Sequence, residues 1–263
     1  MRWDPVQYGR FAAERGRPFD DLLARVQPSV EPSFVVDLGC GPGNLTATLA
    51  KRWPRAEVLG VDSSPEMIAT ATAMADDRLH FVEGDLAIWH ASRPADVVVS
   101  NAALQWVPQH INVLPHLAGM VAANGWLAFQ VPGNYADPSH TLIDDLRRSP
   151  KWRDVVGDEH ASLSRWQNVP DTADYVEALW ACNGVDLVDV WESTYFHVLA
   201  GDDPVWQWMR GTGFRPVLSA VPEERRDEFD HDYRDLLRQA YPARSYGTVL
   251  SFRRLFAVAH LTR

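Results

Sequence analysis

Apolar residues in this chain come in short, β-branched runs, each closed by an acid, an asparagine or glycine and followed by helix-compatible spacing. Phe34-Val35-Val36 runs into Asp37. A glycine-rich turn, Gly39-Cys40-Gly41-Pro42-Gly43-Asn44, follows at once, and Leu45 to Ala50 then suits a helix. The pattern recurs at Glu57 to Asp62, Leu79 to Asp85 and Ala95 to Asn101, and a fifth run spans Trp126 to Val131. Two more strands, near Val188 to Val198 and Leu255 to Leu261, are expected to close the sheet with antiparallel pairing. Strand–helix alternation over about 33–131 predicts an α/β fold with a doubly wound, mostly parallel sheet. Residues 1–30 read as helical, with Pro18 at a helix start. The segment Ser63-Ser64-Pro65-Glu66 carries an N-cap, a proline in the first turn and an early acid, so a helix should begin there. Phe229, Tyr233, Leu236, Leu237, Ala240 and Tyr241 form one apolar stripe at helical spacing, as a packing face does.

The glycine turn is the first sign of chemistry. Glycines let a backbone turn sharply and let a ligand approach with no Cβ in the way. In a sheet of this kind the ligand lies beyond the carboxyl ends of the strands. A dinucleotide site would show G-x-G-x-x-G, yet the sixth position counted from Gly39 is Asn44, and Asp37 stands before the turn. A carboxylate there repels phosphate and suits a cationic amino-acid group. A purely structural turn in an unrelated α/β protein is the plainer alternative. Asp62 lies 25 positions after Asp37 and could take both hydroxyls of a ribose, a feature that dinucleotide enzymes share. Three acids at successive strand ends, Asp37, Asp62 and Asp85, weigh more than one glycine loop.

These motifs resemble those of the class I S-adenosylmethionine-dependent methyltransferases. A narrower resemblance, to the trans-aconitate 2-methyltransferase family, rests on segments spread over almost the whole chain. They are Trp3 to Tyr8, Phe11 to Pro18, Asp37 to Asn44, Leu104 to Pro108, Gln130-Val131-Pro132 with Asn134, Thr194-Tyr195 with His197, Gly211 to Pro216, and Arg254 to Ala259. Gly133 and Gln109 stand where that family's pattern has an acid. The resemblance implies one methyltransferase domain over 1–263, with a Rossmann-like sheet and helical insertions forming a substrate lid. Within it, 1–30 would be an N-terminal helical lid and 33–131 the cofactor-binding half, with insertions at 135–185 and 202–250 shaping the substrate pocket. S-adenosyl-L-methionine, leaving as S-adenosyl-L-homocysteine, would meet Asp37, Gly39, Cys40, Gly41, Gly43, Asn44, Asp62, Ser63, Met67, Asp85, Leu86 and Asn101. The implied reaction is esterification of one carboxylate of trans-aconitate or a related small polycarboxylate. Another small-molecule or acyl-carrier carboxyl methyltransferase, or a non-catalytic binder of cofactor or metabolite, would be built on the same motifs.

Composition narrows the partners. A net charge of -10 disfavours nucleic acid, which needs a basic face. No apolar run approaches the ~20 residues that span a bilayer, and the polar first residues do not read as a signal peptide. Cys40 and Cys182 are too few for a disulfide framework, which fits a reduced, cytoplasmic setting. The nine histidines show no metal-ligand spacing, so no metal is expected. Oligomeric state is left open.

Carboxylate methylation needs no general base, because the oxygen is already ionised at neutral pH. No catalytic acid or base is therefore expected, and the enzyme must supply orientation and exclusion of water. A polycarboxylate bound by an acidic protein calls for local cations. Arginine, with its planar fork, is the natural one. The candidates are Arg15, Arg17, Arg215 and Arg254, with hydrogen bonds from Gln105, Asn134, Tyr195 and His197 and a wall from Trp106.

Overall fold

The computed structural model describes residues 12–156, 169–210 and 214–262. The sequence motifs at Trp3 to Tyr8, at Phe11 and at Gly211 to Gly213 lie outside the described residues, as do the side chains of Arg15 and Arg215.

A seven-stranded sheet organises the chain. Its strands are β1 (Phe34–Leu38), β2 (Glu57–Asp62), β3 (Leu79–Glu83), β4 (Ala95–Asn101), β5 (Val121–Pro132), β6 (Val185–Leu199) and β7 (Thr248–Leu261). The order is β3-β2-β1-β4-β5-β7-β6. The first five pair in parallel, and antiparallel pairing is confined to the last strands. The chain reverses direction across the sheet between β1 and β4, and the order of this doubly wound sheet opens a ligand crevice at the carboxyl ends of those strands. β1 is buried along its whole length, so its apolar run needs no alternation.

Helices α1 (Ala12–Leu23), α2 (Thr46–Arg52), α3 (Pro65–Ala71), α4 (Leu114–Gly119) and α7 (Thr172–Trp180) accompany these strands. The remaining helices are α5 (Pro138–Arg148), α6 (Arg153–Val156), α8 (Pro204–Arg210), α9 (Phe214–Ala220) and α10 (Arg226–Ala240). The chain divides into two compact units. One comprises residues 12–131, Pro170–Glu192 and 254–262. The other comprises residues 132–156, Val169, 193–210 and 214–253.

α3 starts as its sequence signals, with Ser64 Oγ accepting the amide of Met67 at 3.3 Å and Pro65 in the first turn. Pro18 does not open a helix. It lies inside α1, where its ring removes one backbone donor and the helix continues around it. β3 stops at Glu83, two residues before the expected Asp85, where the chain turns: Ile88 N and Trp89 N both bond to Asp85 O, at 3.0 and 2.7 Å. β5 begins five residues earlier than its apolar run suggests. A register shift pairs Ala95 with Val121 but Val97 with Trp126, and the extra residues include Asn124 in the left-handed region (φ 58°). β6 and β7 are likewise longer than their apolar stretches.

In the second unit α5 packs on α10. The stripe of α10 is a core face: Phe229, Tyr233 and Leu237 are buried, whereas Ala240 is exposed. Tyr233 Oη donates to Ser139 O at 2.6 Å and Tyr241 Oη accepts from Ser139 N at 3.0 Å, which ties the start of α5 to α10 and its following turn. Asp232 accepts from Trp152 Nε1 at 2.8 Å and Lys151 Nζ at 2.5 Å, and Trp152 is fully buried.

Candidate active site

The turn after β1 holds three glycines in the left-handed region, Gly39 (φ 80°), Gly41 (φ 55°) and Gly43 (φ 83°). Each has its own reason for lacking a side chain. A Cβ on Gly39 would lie 2.1 Å from Ala103 Cβ, and one on Gly43 would lie 2.8 Å from the Phe81 ring. A Cβ on Gly41 would meet no atom within 4 Å. Gly39 and Gly43 are closed against the protein, whereas Gly41 faces open space, as a ligand cradle requires. Leu86 lies beside Gly39, 3.9 Å from that notional Cβ.

Backbone amides fix the turn against β2. Gly39 N and Cys40 N both donate to Val61 O, at 2.7 and 3.0 Å. The Asp62 carboxylate accepts Gly41 N at 2.9 Å on one oxygen and Ser64 N at 2.9 Å on the other. Each oxygen keeps lone-pair capacity for a further donor, such as a ribose hydroxyl. Asp37 lies inside β1 rather than at its tip. It is buried and accepts Thr46 Oγ1 at 2.6 Å. Burial pushes its carboxyl up to about 7, against the Thr46 hydrogen bond and with help from the nearby Asp62 charge. The Cys40 thiol is buried and pushed up, first by burial and then by Asp37 and Asp62, so it stays protonated and inert.

The other expected cofactor residues have less constrained places. Asn44, Ser63 and Asp85 are exposed, while Met67 is buried under the first turn of α3. Asp85 accepts Ala87 N at 2.9 Å, so its carboxylate is held at the β3 end. Asn101, at the end of β4, is bonded to Gln130, which stands in one of the family segments but was not among the expected site residues.

Of the expected substrate residues in the same unit, Arg17 is exposed, 3.9 Å from Asp21 one turn on. Arg254 is buried, and its Nη1 donates to Gln130 Oε1 at 3.0 Å. Gln105 Nε2 donates to Ala102 O at 2.5 Å, and its Oε1 is buried with no hydrogen-bond partner among the described residues. Trp106 is partly exposed. The turn bearing Gln105 and Trp106 is bracketed by two non-glycine residues in the left-handed region, Ala102 (φ 53°) and Gln109 (φ 51°). Such strain collects at sites where the fold over-determines the backbone. Behind the turn, buried His110 bonds Tyr175 Oη through Nε2 at 2.5 Å, and burial pushes its imidazole down to about 4.

In the second unit, Tyr195 and His197 lie on one face of β6. Both are buried, with His197 stacked on Trp208, ring centroids 5.2 Å apart. Asn134 is also buried there, and neither its Oδ1 nor its Nδ2 has a hydrogen-bond partner among the described residues. Its backbone is pinned by a turn in which Asp137 N donates to Asn134 O at 3.0 Å. A buried amide with neither bond made is costly, and it keeps both a donor and an acceptor for a polar group. Among the described residues no group of three or more His, Cys, Asp or Glu side chains is placed to hold a metal ion, and no helix is long and apolar enough to cross a membrane.

Residues 35–125 match a family model described as a methyltransferase domain. A trans-aconitate 2-methyltransferase of Streptomyces avermitilis is 49% identical, over 98% of this chain and 96% of that protein. Its namesake in Methylobacterium nodulans is 42% identical over 99% of both. Solved folds agree at lower identity. A methyltransferase from Haloferax volcanii, in complex with the Trm112 activator, has a TM-score of 0.56 at 21% identity, covering 99% of this chain and 95% of that one. The phosphoethanolamine N-methyltransferase 2 of Haemonchus contortus with bound S-adenosyl-L-methionine has a TM-score of 0.54 at 14% identity, covering 94% of this chain and 53% of that one. The cradle open at Gly41, the paired carboxylate of Asp62 and this near-full-length kinship have one meaning: the chain belongs to the trans-aconitate 2-methyltransferase family.

Proposed function

We propose that this protein transfers a methyl group from S-adenosyl-L-methionine to one carboxylate of trans-aconitate or a closely related small polycarboxylate. The observation that carries the substrate is the 49% identity to a trans-aconitate 2-methyltransferase, which runs through both units and is not confined to the cofactor half. The cofactor fits the residues present, since Gly41 opens on free space and Asp62 retains acceptor capacity beside it. When bound, S-adenosylmethionine supplies an electrophilic methyl on a sulfonium, which a carboxylate oxygen attacks while the sulfur leaves as a thioether.

The chain's residues bind and orient. Gly39, Cys40, Gly41, Gly43 and Asn44 surround the cofactor's amino-acid end, with Asp37 behind them. Asp62 and Ser63 serve the ribose, and Met67, Asp85, Leu86 and Asn101 the adenine side and the strand ends. For the acid, Gln105 Oε1 in the first unit and the Asn134 amide in the second are taken as hydrogen-bonding groups. Arg254, with Arg15, Arg17 and Arg215, supplies the positive charge that the remaining carboxylates need. Substrate contacts are also assigned to Tyr195 and His197, and to Trp106, each within its own unit. The helical insertions serve as a lid that excludes water from a strongly solvated anion. No metal takes part, and the setting is cytoplasmic.

Asn134→Leu tests the substrate side. It should raise KM for the acid by roughly 10- to 100-fold, the equivalent of one lost hydrogen bond to a charged group, and leave cofactor affinity in place. An unchanged KM would remove Asn134 from the site.

A further inference from the structure

Gln130 sits on β5, the middle member of the β4–β5–β7 group, with its side chain fully buried. Its amide nitrogen donates to Asn101 Oδ1 at 2.7 Å, and Asn101 is its direct register partner on β4. Its amide oxygen accepts Arg254 Nη1 at 3.0 Å from β7, on the other side. Its main-chain oxygen accepts Ala102 N at 3.0 Å, and Ala102 O in turn accepts Gln105 Nε2 at 2.5 Å. One residue thus joins Arg254, Asn101 and the left-handed Ala102 that opens the Gln105–Trp106 turn.

A buried amide is not the cheapest occupant of a central strand, because apolar side chains fill such positions without desolvating polar atoms. The amide can do what neither an apolar group nor a carboxylate can. It accepts from a cation on one side and donates to a carbonyl-type oxygen on the other, while adding no charge of its own. Buried hydrogen-bond networks of this kind fix geometry.

We propose that Gln130 is a positioning residue for the methyl transfer: its amide and main chain lock Arg254, Asn101 and the Gln105 turn into one arrangement, which sets the orientation of the acid relative to the cofactor. The inference rests on the reading above that Arg254 and Gln105 meet the substrate.

Gln130→Met keeps the volume and removes both side-chain bonds. In the folded variant KM for the acid should rise by about tenfold or more, exceeding any loss of cofactor affinity that the released Asn101 causes. A merely structural role would lower the amount of folded enzyme and leave KM where it was, and that result overturns the proposal. If Gln130→Met does not fold, Gln130→Glu decides. It can still accept from Arg254, and a rotated Asn101 amide can donate to it, but it adds a negative charge against the guanidinium. KM for the acid should then rise by about tenfold and the effect should lessen as the new carboxyl is protonated at low pH. An unchanged KM in Gln130→Glu overturns the proposal. Arg254→Lys separates the two ideas. A raised KM there with normal Gln130 variants overturns positioning alone, and an unchanged KM there removes the reading on which it rests.

Discussion

Asp37 is held with its carboxyl pushed up to about 7 by burial, directly behind the turn that would receive a cationic amino-acid group. A bound cation favours the ionised form, so cofactor binding should expel a proton from the protein near neutral pH. Affinity should accordingly rise about tenfold between about pH 6 and about pH 8, and Asp37→Asn should flatten that dependence. Calorimetry in buffers of different ionisation enthalpy reads the proton directly, and no released proton would contradict this role. The sign for the free protein is the opposite one. A raised carboxyl contributes stability that is complete below its unfolded value near 4 and is lost as pH rises through about 7. The glycines offer a second check at this scale. Gly39→Ala should unfold or strongly destabilise the protein, because its Cβ would overlap Ala103. Gly41→Ala meets no atom, so it should fold with only the strain of its left-handed backbone and show its loss in cofactor affinity. Equal melting temperatures for the two variants would contradict the division of labour in the turn.

At the scale of elements, the second unit depends on a few buried polar ties between helices. Asp232 satisfies the indole of a fully buried Trp152, so Asp232→Ala leaves a buried donor unmet and should cost about 1–3 kcal/mol in denaturant unfolding. Glu228, which meets the same Lys151 from an exposed position, should cost under about 1 kcal/mol when replaced by Ala. Similar losses for the two would mean that the Trp152 bond contributes little. These ties mark the limit of what the sequence discloses. β1, β2 and β4, the N-cap at Ser64 and the α10 stripe could be read from it, because each is written in local periodicity and capping chemistry. Pro18 inside α1 and the shifted start of β5 could not, since packing overrides both signals. The same limit applies to the site. Gly39 to Gly43 and Asp62 announce themselves by spacing. Gln130 stands in a family segment, but its role does not show there, because that role arises only when β7, more than a hundred residues later, is inserted beside β5. Asn134 could be named from its segment, but its orphaned amide could not.

For the whole molecule, an acidic chain of net charge -10 must hold an anionic substrate with local cations, since its general field repels one. On the proposed mechanism, proximity and desolvation would supply the rate without a general base. The activity should therefore show no ionisation of an essential enzyme base in kcat, and its acid limb should follow protonation of the substrate and of Asp37. The most direct test is mass spectrometry of small molecules after the purified protein is incubated with methyl-labelled S-adenosylmethionine and a panel of di- and tricarboxylates that includes trans-aconitate, with carrier-protein thioesters alongside. The expected result is a labelled monomethyl ester of trans-aconitate formed in preference to the other acids. Label appearing only on a carrier-bound acyl group, or on none of the acids while the cofactor binds, would contradict it.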